Sequence, residues 1–172
     1  MPNYIINKLQ VIGELDKVEE VMDFIRSDDG ECRMDFQKIV PIPPHIYNGN
    51  IGKLEEELFG EDTWYGWCPK YWGSKWNAIC KEDAARCTED TVYFQTAWNG
   101  VPKLIFLLSA KFDCELVYAF ADEDRGYNCD SYVLYKRSDF TKTTEHTTPI
   151  PGSKEANDLA DELWGKKEEE DE

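Results

Sequence analysis

The chain has 172 residues, enough for one domain, and its 41% hydrophobic and 13% aromatic content supports a sizeable core and disfavours intrinsic disorder. Its 19 basic and 35 acidic residues give a formal net charge of −16, which disfavours direct binding to a nucleic-acid phosphate backbone. No apolar run reaches the ~20 residues of a membrane span and no secretory apolar segment opens the sequence, so we expect no membrane binding and a cytoplasmic location.

The first part of the sequence predicts a strand, a helix and a second strand. Tyr4–Val11 alternates between apolar and polar residues, although Asn7 interrupts the apolar side. Apolar residues at helical spacing then predict a helix between Leu15 and Ile25. Met34–Val40 has the composition of a second strand, which Pro41 ends because proline cannot continue a ladder.

A long segment rich in tryptophan follows this second strand, and we expect it to form an insertion at about 42–90. Within it, Ile51–Phe59 has the pattern of a short helix, whose predicted buried stripe contains Ile51, Leu54 and Leu58. The next stretch is rich in Trp, Gly and Pro, and its pattern favours neither a helix nor a strand.

The second half predicts two strands separated by a helix, followed by one further strand. Thr91–Ala97 and Cys114–Ala121 have strand composition, and Pro102 suits the first turn of the helix between them. Ser131–Lys136 adds a strand beside Cys114–Ala121. Ser153 is a suitable N-cap for a last helix, which reaches Trp164.

The resulting order, βαββαβ, is that of an α+β ferredoxin-like fold with an antiparallel sheet and both helices on one face. The insertion lies between strands 2 and 3, and an added strand and a helix follow at the C-terminal side. We therefore predict a single ferredoxin-like domain over residues 1–164 and an acidic, disordered tail over 165–172.

The cysteines and the acidic residues give only weak indications of a metal-binding site. None of the six cysteines forms a C-x-x-C pair, and with no export signal we expect all six to be reduced. A zinc site from Cys80, Cys87 and either Cys68 or His45 is a less favoured alternative. Magnesium binding by the Asp122–Asp124 acids is another. We therefore expect no metal and no cofactor.

Four segments, taken in order, resemble the YubB-like family of ferredoxin-fold proteins, which conjugative plasmids and bacteriophages carry. Met1–Asn3 resembles its N-terminus, and Met34–Pro43 resembles its "FDFNKIIPMP" motif. Trp72–Ala78 is similar to "WGTKWNA", and Phe94–Trp98 matches "F-x-TAW". The resemblance runs to about Tyr127 and leaves the acidic C-terminal extension outside.

Some residues depart from the family motifs. Met34 and Gln37 differ from the second motif, and Asn99–Pro102 replaces the usual serine and double proline after the fourth. The resemblance implies a ferredoxin-like fold and a mobile-element setting, but it implies no catalytic residues.

Two classes of function follow from these features. The absence of a recognisable general base or nucleophile motif favours a non-enzymatic module that binds a protein of the host or of the mobile element and so modulates or inhibits a host or defence protein. The alternatives are a small-nucleotide-binding protein or enzyme that uses the Trp-rich loop, and an acidic mimic of nucleic acid. The sequence leaves the oligomeric state open.

The candidate partner-binding residues come from two segments and one turn. Tryptophans bury a large area and are enriched at binding hot spots, and the turns after strands 3 and 4 are expected at the same end of the sheet. The predicted partner-binding residues are Trp72, Lys75, Trp76, Asn77, Trp98, Asp122, Glu123 and Asp124. For the tryptophans, an alternative is that they only pin the insertion onto the domain.

Overall fold

Strand β1 (Tyr4–Ile12) lies inside a five-stranded antiparallel sheet in the computed structural model, which describes residues 3–166. The other strands are β2 (Thr91–Ala97), β3 (Glu115–Asp122), β4 (Cys129–Leu134) and β5 (Glu145–Thr147), in the order β2-β1-β3-β4-β5. The helices are α1 (Leu15–Ile25), α2 (Phe36–Ile39), α3 (Lys53–Phe59), α4 (Trp64–Tyr71), α5 (Pro102–Phe112) and α6 (Lys154–Trp164), and Ala84–Arg86 forms a 3-10 turn.

The front face of the sheet carries the main core. Alternate residues of β1, namely Ile5, Leu9 and Val11, point to this face because successive strand residues face opposite ways. The buried sides of α1 and α5 pack in the same cluster, as do Phe36 of α2 and residues of α4. Both crossover helices therefore lie on one face, as in a ferredoxin-like fold.

The back face of the sheet is covered by α6. The Ser153 hydroxyl accepts a hydrogen bond from the Ala156 N–H at 3.1 Å, which confirms the predicted cap. The apolar side of α6, Ala156, Ala160 and Leu163, packs on Ile6 and on the alanines of β3. The small side chains let the helix approach the sheet closely.

The predicted fold class is confirmed, but one strand within it is wrong. The added C-terminal strand and the C-terminal helix are present as β4 and α6. Met34–Val40, predicted as a strand, contains the helical turn α2 instead. The Asp35 carboxylate caps this turn by accepting from the Gln37 N–H at 2.9 Å, and the Asn77 side-chain oxygen accepts from the Phe36 N–H at 2.8 Å.

The segment 74–88 covers the outer edge of β2. In a complete βαββαβ fold, the second strand would pair at this edge. Ile79 forms a single antiparallel bridge with Gln95. The Ala97 N–H donates to the Ser74 hydroxyl at 3.1 Å, and the Tyr93 N–H donates to the Cys87 sulfur at 3.3 Å. These contacts occupy the edge position that Met34–Val40 was predicted to fill.

The apolar stripe of α3 is a second correction. The predicted helix is present, but it has no buried residue, and the Leu54 and Leu58 side chains are 62% and 67% exposed. The Phe59 ring at its end stacks on Tyr47, with centroids 4.6 Å apart. Leu54 and Leu58 therefore face solvent rather than the core, while Ile51 precedes the helix and is half-buried.

The prediction of six reduced cysteines is also wrong. Cys32 and Cys80, 48 residues apart in sequence, form a disulfide with their Cα atoms 5.3 Å apart. Cys68, Cys87, Cys114 and Cys129 are free. No local spacing reveals this pair, because the fold joins the turn after α1 to the covered edge of β2.

Two sequence-based expectations concern the ends of the chain and membranes. Of the predicted tail 165–172, residues 167–172 lie outside the described residues, as do Met1 and Pro2 of the first motif. Of the helices found over residues 3–166, none combines the length and the apolar composition needed to cross a bilayer.

The docking of α6 predicts a difference between two changes near the end of the chain. Replacing the fully buried Leu163 by Ala should lower the free energy of unfolding by about 2–5 kcal/mol, since it leaves a cavity against the sheet. Deleting Lys166–Glu172 removes no apolar side chain and should leave this free energy within about 0.5 kcal/mol of the full chain. Urea unfolding of the two variants measures both effects, and equal losses would contradict the packing of α6.

The disulfide predicts the number of reactive thiols. Freshly purified protein, denatured without reductant, should give four thiols by titration, and six after reduction. The double variant Cys32→Ser, Cys80→Ser should give four under both conditions. Six thiols without reductant would show that Cys32 and Cys80 are not joined.

Candidate functional site

Two turns and the start of β1 meet at one end of the sheet. The register pairs Tyr4 with Ala97 and Ile5 with Asp122, so the residues after β2 and after β3 leave the sheet side by side. The Trp98 N–H donates to the Asn3 carbonyl at 3.0 Å, and the Asn3 amide donates to the Asp124 carboxylate at 3.0 Å. The expected neighbourhood of these two turns is therefore found.

The turn after β2 is held in an unusual conformation. Trp98 has φ +73°, a left-handed value that a bulky L-residue rarely adopts. The Thr96 hydroxyl donates to the Asn99 carbonyl at 2.7 Å, and the Asn128 amide donates to the Trp98 carbonyl at 3.3 Å. Gly100 follows, where an added Cβ would overlap the Phe120 ring. The turn is thus fixed from several sides.

A buried polar network anchors this turn to the sheet. The Asn7 amide donates to the Thr96 hydroxyl at 2.9 Å and accepts from the Tyr118 hydroxyl at 2.6 Å. Tyr118 in turn accepts from the Val101 N–H at 2.7 Å. Burial raises the pKa of Tyr118 well above its usual range, so the phenol stays protonated and remains a donor.

Three aromatic rings surround the Lys75 ammonium at this end of the sheet. Its nitrogen lies 5.1 Å from the ring centroid of Tyr65, 5.3 Å from that of Trp76 and 5.4 Å from that of Trp98. Rings at this distance attract a cation through their negative faces. We name these four residues the Lys75 cluster.

The Lys75 cluster is open to solvent and its charge is not paired. Tyr65 is 49% and Trp98 is 42% exposed. Among residues 3–166, no carboxylate forms an ion pair with Lys75. The indole N–H of Trp76 is buried and has no hydrogen-bond partner within the same residues. The cluster therefore presents a cation and two broad rings to an incoming group.

The acids of the turn after β3 lie at the same end but do not converge. The buried Asp122 carboxylate accepts from the Asp124 N–H at 2.8 Å, while Glu123 accepts from the Tyr4 N–H at 2.9 Å. Glu123 and Asp124 are exposed. Within residues 3–166, no group of three or more His, Cys, Asp or Glu side chains is placed to hold a metal ion.

The structure separates the predicted partner-binding residues into two groups. Lys75, Trp76 and Trp98 come together in the Lys75 cluster, with Glu123 and Asp124 at the same end of the sheet.

The other predicted residues, Trp72, Asn77 and Asp122, have side chains that form hydrogen bonds within the protein. Trp72 is 1% exposed and its indole donates to the Val40 carbonyl at 2.8 Å. Asn77 binds the start of α2, donating to the Asp35 carboxylate at 2.7 Å. Asp122 is 6% exposed.

Tyr65 is the member of the cluster that sequence analysis missed. It lies in α4, within the Trp-rich stretch whose pattern favoured no element. Ten residues separate it from Lys75, and only the fold brings its ring over the ammonium. No periodicity or motif in the sequence identifies it.

The thiols of Cys68 and Cys114 and the His146 imidazole are not arranged as activated nucleophiles. Burial raises the pKa of Cys68 and of Cys114 to about 11, so both are protonated at neutral pH. The His146 Nε2 atom lies 3.5 Å from an Asp130 carboxylate oxygen and 3.1 Å from the Thr148 hydroxyl. Both contacts use one nitrogen, so the ring does not relay a proton between them.

The fold and this site define a class: an α+β protein with a ferredoxin-like sheet and an exposed aromatic cluster. The family model described as "Ferredoxin-like domain in Api92-like protein" matches residues 72–164, more than half of the chain. The chain belongs to this family, whose function is not established. A comparison with curated proteins found no match, and a comparison with solved structures found none.

The family match differs in extent from the resemblance found in the sequence. It begins at Trp72, the first residue of the tryptophan motif, and continues past Tyr127 to the end of α6. Most of the C-terminal extension, expected to lie outside, is therefore part of the family domain. β1 and α1 lie outside the matched residues.

The left-handed backbone at Trp98 predicts an order of stability between two variants. Trp98→Ala and Trp98→Gly both remove the ring, but only glycine adopts φ +73° without steric cost. Trp98→Ala should therefore be less stable than Trp98→Gly by about 1 kcal/mol in urea unfolding. At Phe106, inside α5, the order should be reversed, since glycine is disfavoured in helices. The same order at both positions would contradict a strained turn.

Proposed function

We propose that this protein is a non-enzymatic binding module and that the Lys75 cluster, with Glu123 and Asp124 at the same end of the sheet, contacts a protein partner. The observation that carries the proposal is the unpaired Lys75 ammonium between two exposed aromatic rings. Within the described residues Lys75 forms no ion pair, so its ammonium is free to pair with a carboxylate of a partner.

The chemistry of the cluster suits a protein surface with a carboxylate beside an apolar or aromatic side chain. The rings hold the ammonium in place, so less side-chain entropy is lost when it pairs. Trp and Tyr are enriched in binding hot spots because they bury a large area with few rotatable bonds. The fixed turn at Trp98 favours binding in the same way, since the backbone that carries the ring is already held in place.

Several observations favour binding over catalysis. The pKa values of Cys68 and Cys114 lie near 11, which leaves these thiols without nucleophilic character. The Glu123 and Asp124 carboxylates accept hydrogen bonds from backbone and amide groups of the start of β1. No nucleophile, base and orienting group come together at the cluster among residues 3–166.

The setting of this function is part of the proposal. The resemblance to the YubB-like family supports an origin in a conjugative plasmid or a bacteriophage, and action in the cytoplasm of a bacterial host. A protein carried by a mobile element has host and defence proteins within reach, so a protein of the host or of the element is the proposed partner. The net charge of −16 argues against contact with phosphate backbones.

Photo-crosslinking from the cluster tests the proposal. A benzophenone amino acid replaces Tyr65 in protein expressed in bacterial cells, and a matched variant carries it at Phe106, which is similarly exposed at 40% on α5. We expect a discrete adduct with a second protein from position 65 and none from position 106. Adding Lys75→Met, which keeps the stem and removes the charge, should abolish the adduct with little change in melting temperature.

Three results would contradict the proposal: no adduct from position 65, equal adducts from both positions, or an adduct that Lys75→Met leaves unchanged. A nucleotide that raises the melting temperature of the native protein, but not that of Lys75→Met, would favour the small-nucleotide alternative.

A further inference from the structure

A second candidate surface lies in the insertion, apart from the Lys75 cluster. A cavity of about 590 Å³ opens between α4 and the proline-rich segment 40–46, and no residue of the Lys75 cluster lines it. We propose that this cavity, together with the exposed stripe of α3, is the docking site for a basic, apolar segment of a partner protein. Its volume is in the range of sites that enclose a ligand.

The walls of the cavity are fixed by hydrogen bonds, so the cavity is already formed in the free protein. The Trp72 indole, just after α4, donates to the Val40 carbonyl at 2.8 Å and ties the proline-rich wall to the helix. The Tyr47 N–H donates to the Asp62 carbonyl, and the Trp64 N–H donates to the Tyr47 carbonyl, each at 2.9 Å. These bonds join the residues after α3 to the opposite wall.

The lining of the cavity combines apolar and aromatic side chains with the polar side chains of His45, Glu61, Asp62 and Lys70. Trp67 and Tyr71 of α4 stack with centroids 4.7 Å apart, and the Tyr71 ring is partly exposed. Pro41, Pro43 and the buried Ile46 lie across from them. The apolar part of the lining favours the binding of an aliphatic or aromatic side chain. Burial of apolar surface stabilises a complex by about 25 cal/mol for each Å² removed from water.

Two acids at the cavity carry a charge that the described residues do not neutralise. Glu61 and Asp62 line it and are exposed, and within residues 3–166 neither forms an ion pair. Lys70 lines the same cavity, but its ammonium lies 5.4 Å from the Tyr71 ring centroid rather than on an acid. The stretch 53–62, with one lysine and five acids, has a net charge of −4.

Gly66 allows the backbone of Glu61 to lie close to α4. At Gly66, in the first turn of α4, an added Cβ would lie 2.7 Å from the Glu61 carbonyl oxygen. The absence of a side chain therefore lets the backbone of Glu61 rest against the helix that forms the cavity wall.

The exposed stripe of α3, Leu54 and Leu58, shortly precedes the cavity acids in the chain. Leu58 is three residues from Glu61, so their Cα atoms are at most about 11 Å apart. Leu54 and Leu58 lie on one side of a helix that also carries Glu55, Glu56 and Glu57. A partner segment that places one side chain in the cavity can therefore cover these leucines.

The charge identifies the occupant. Apolar walls beside two acids without ion pairs fit a segment in which leucine-like and arginine-like residues alternate or share a helix face. A second copy of this chain would bring another net charge of −16, which opposes its approach to Glu61 and Asp62. The proposed occupant is therefore a basic segment of a different protein.

Fluorescence anisotropy with synthetic peptides tests this docking site on the full chain. The probe is a short fluorescein-labelled peptide of alternating leucine and arginine, and the comparison peptides replace leucine by serine or arginine by glutamate. We expect saturable binding of the leucine–arginine peptide only. The double variant Glu61→Gln, Asp62→Asn should weaken it about tenfold, or about 1.4 kcal/mol.

Matched variants separate the cavity from general charge effects. The double variant Glu155→Gln, Asp158→Asn removes two acids from the exposed side of α6 and should keep the peptide affinity within about twofold of that of the unmodified protein. Tyr71→Ala, in the cavity, should weaken peptide binding, whereas Tyr127→Ala, at an exposed tyrosine outside it, should not. Lys75→Met should also leave it unchanged, so this result does not depend on the proposed function. The proposal is overturned by an absence of saturable binding up to about 1 mM peptide, by equal binding of a comparison peptide, or by equal losses in the two double variants.

Discussion

The buried side chain of Asn7 is the polar contact on which the sheet and the candidate site both depend. It lies at 0% exposure in β1, which pairs with β2 on one side and with β3 on the other. A buried amide without partners would cost several kcal/mol, and here it binds Thr96 of β2 and Tyr118 of β3. The three strands are therefore joined by side-chain as well as ladder hydrogen bonds, and only one register satisfies them all.

The same network reaches the surface. The Thr96 hydroxyl donates to the Asn99 carbonyl, and the Tyr118 hydroxyl accepts from the Val101 N–H. The chain therefore turns sharply after Thr96, and Trp98 takes a left-handed conformation within this turn. This conformation puts the Trp98 ring beside Lys75. Strain at an exposed residue persists only where the surrounding contacts over-determine it, and such positions are frequent at functional sites. A buried polar group in the central sheet thus supports the ring arrangement proposed to bind a partner.

The segment 74–88 has a complementary role, because it protects an edge and frames the cluster. Ser74, Ile79 and Cys87 each bind the outer edge of β2, which would otherwise offer unpaired backbone groups for aggregation. The disulfide from Cys32 to Cys80 fixes the same segment to the turn after α1. The segment that covers the edge also begins with Ser74 and Lys75, so edge protection and placement of the cation come from one stretch of chain.

The sequence by itself determined the elements whose stability is local. Period-two alternation defined β1, strand composition defined β2, the 3.6-residue spacing defined α1 and α5, and Ser153 marked the start of α6. The tryptophan motif also located part of the Lys75 cluster. Tertiary structure decided what depends on contacts distant in sequence: Met34–Val40 turns as α2 because Asn77 binds its backbone, Cys32 meets Cys80, and Tyr65 completes the ring set around Lys75. Local propensities differ by about 1 kcal/mol or less per residue, so a few buried long-range hydrogen bonds and packed rings outweigh them.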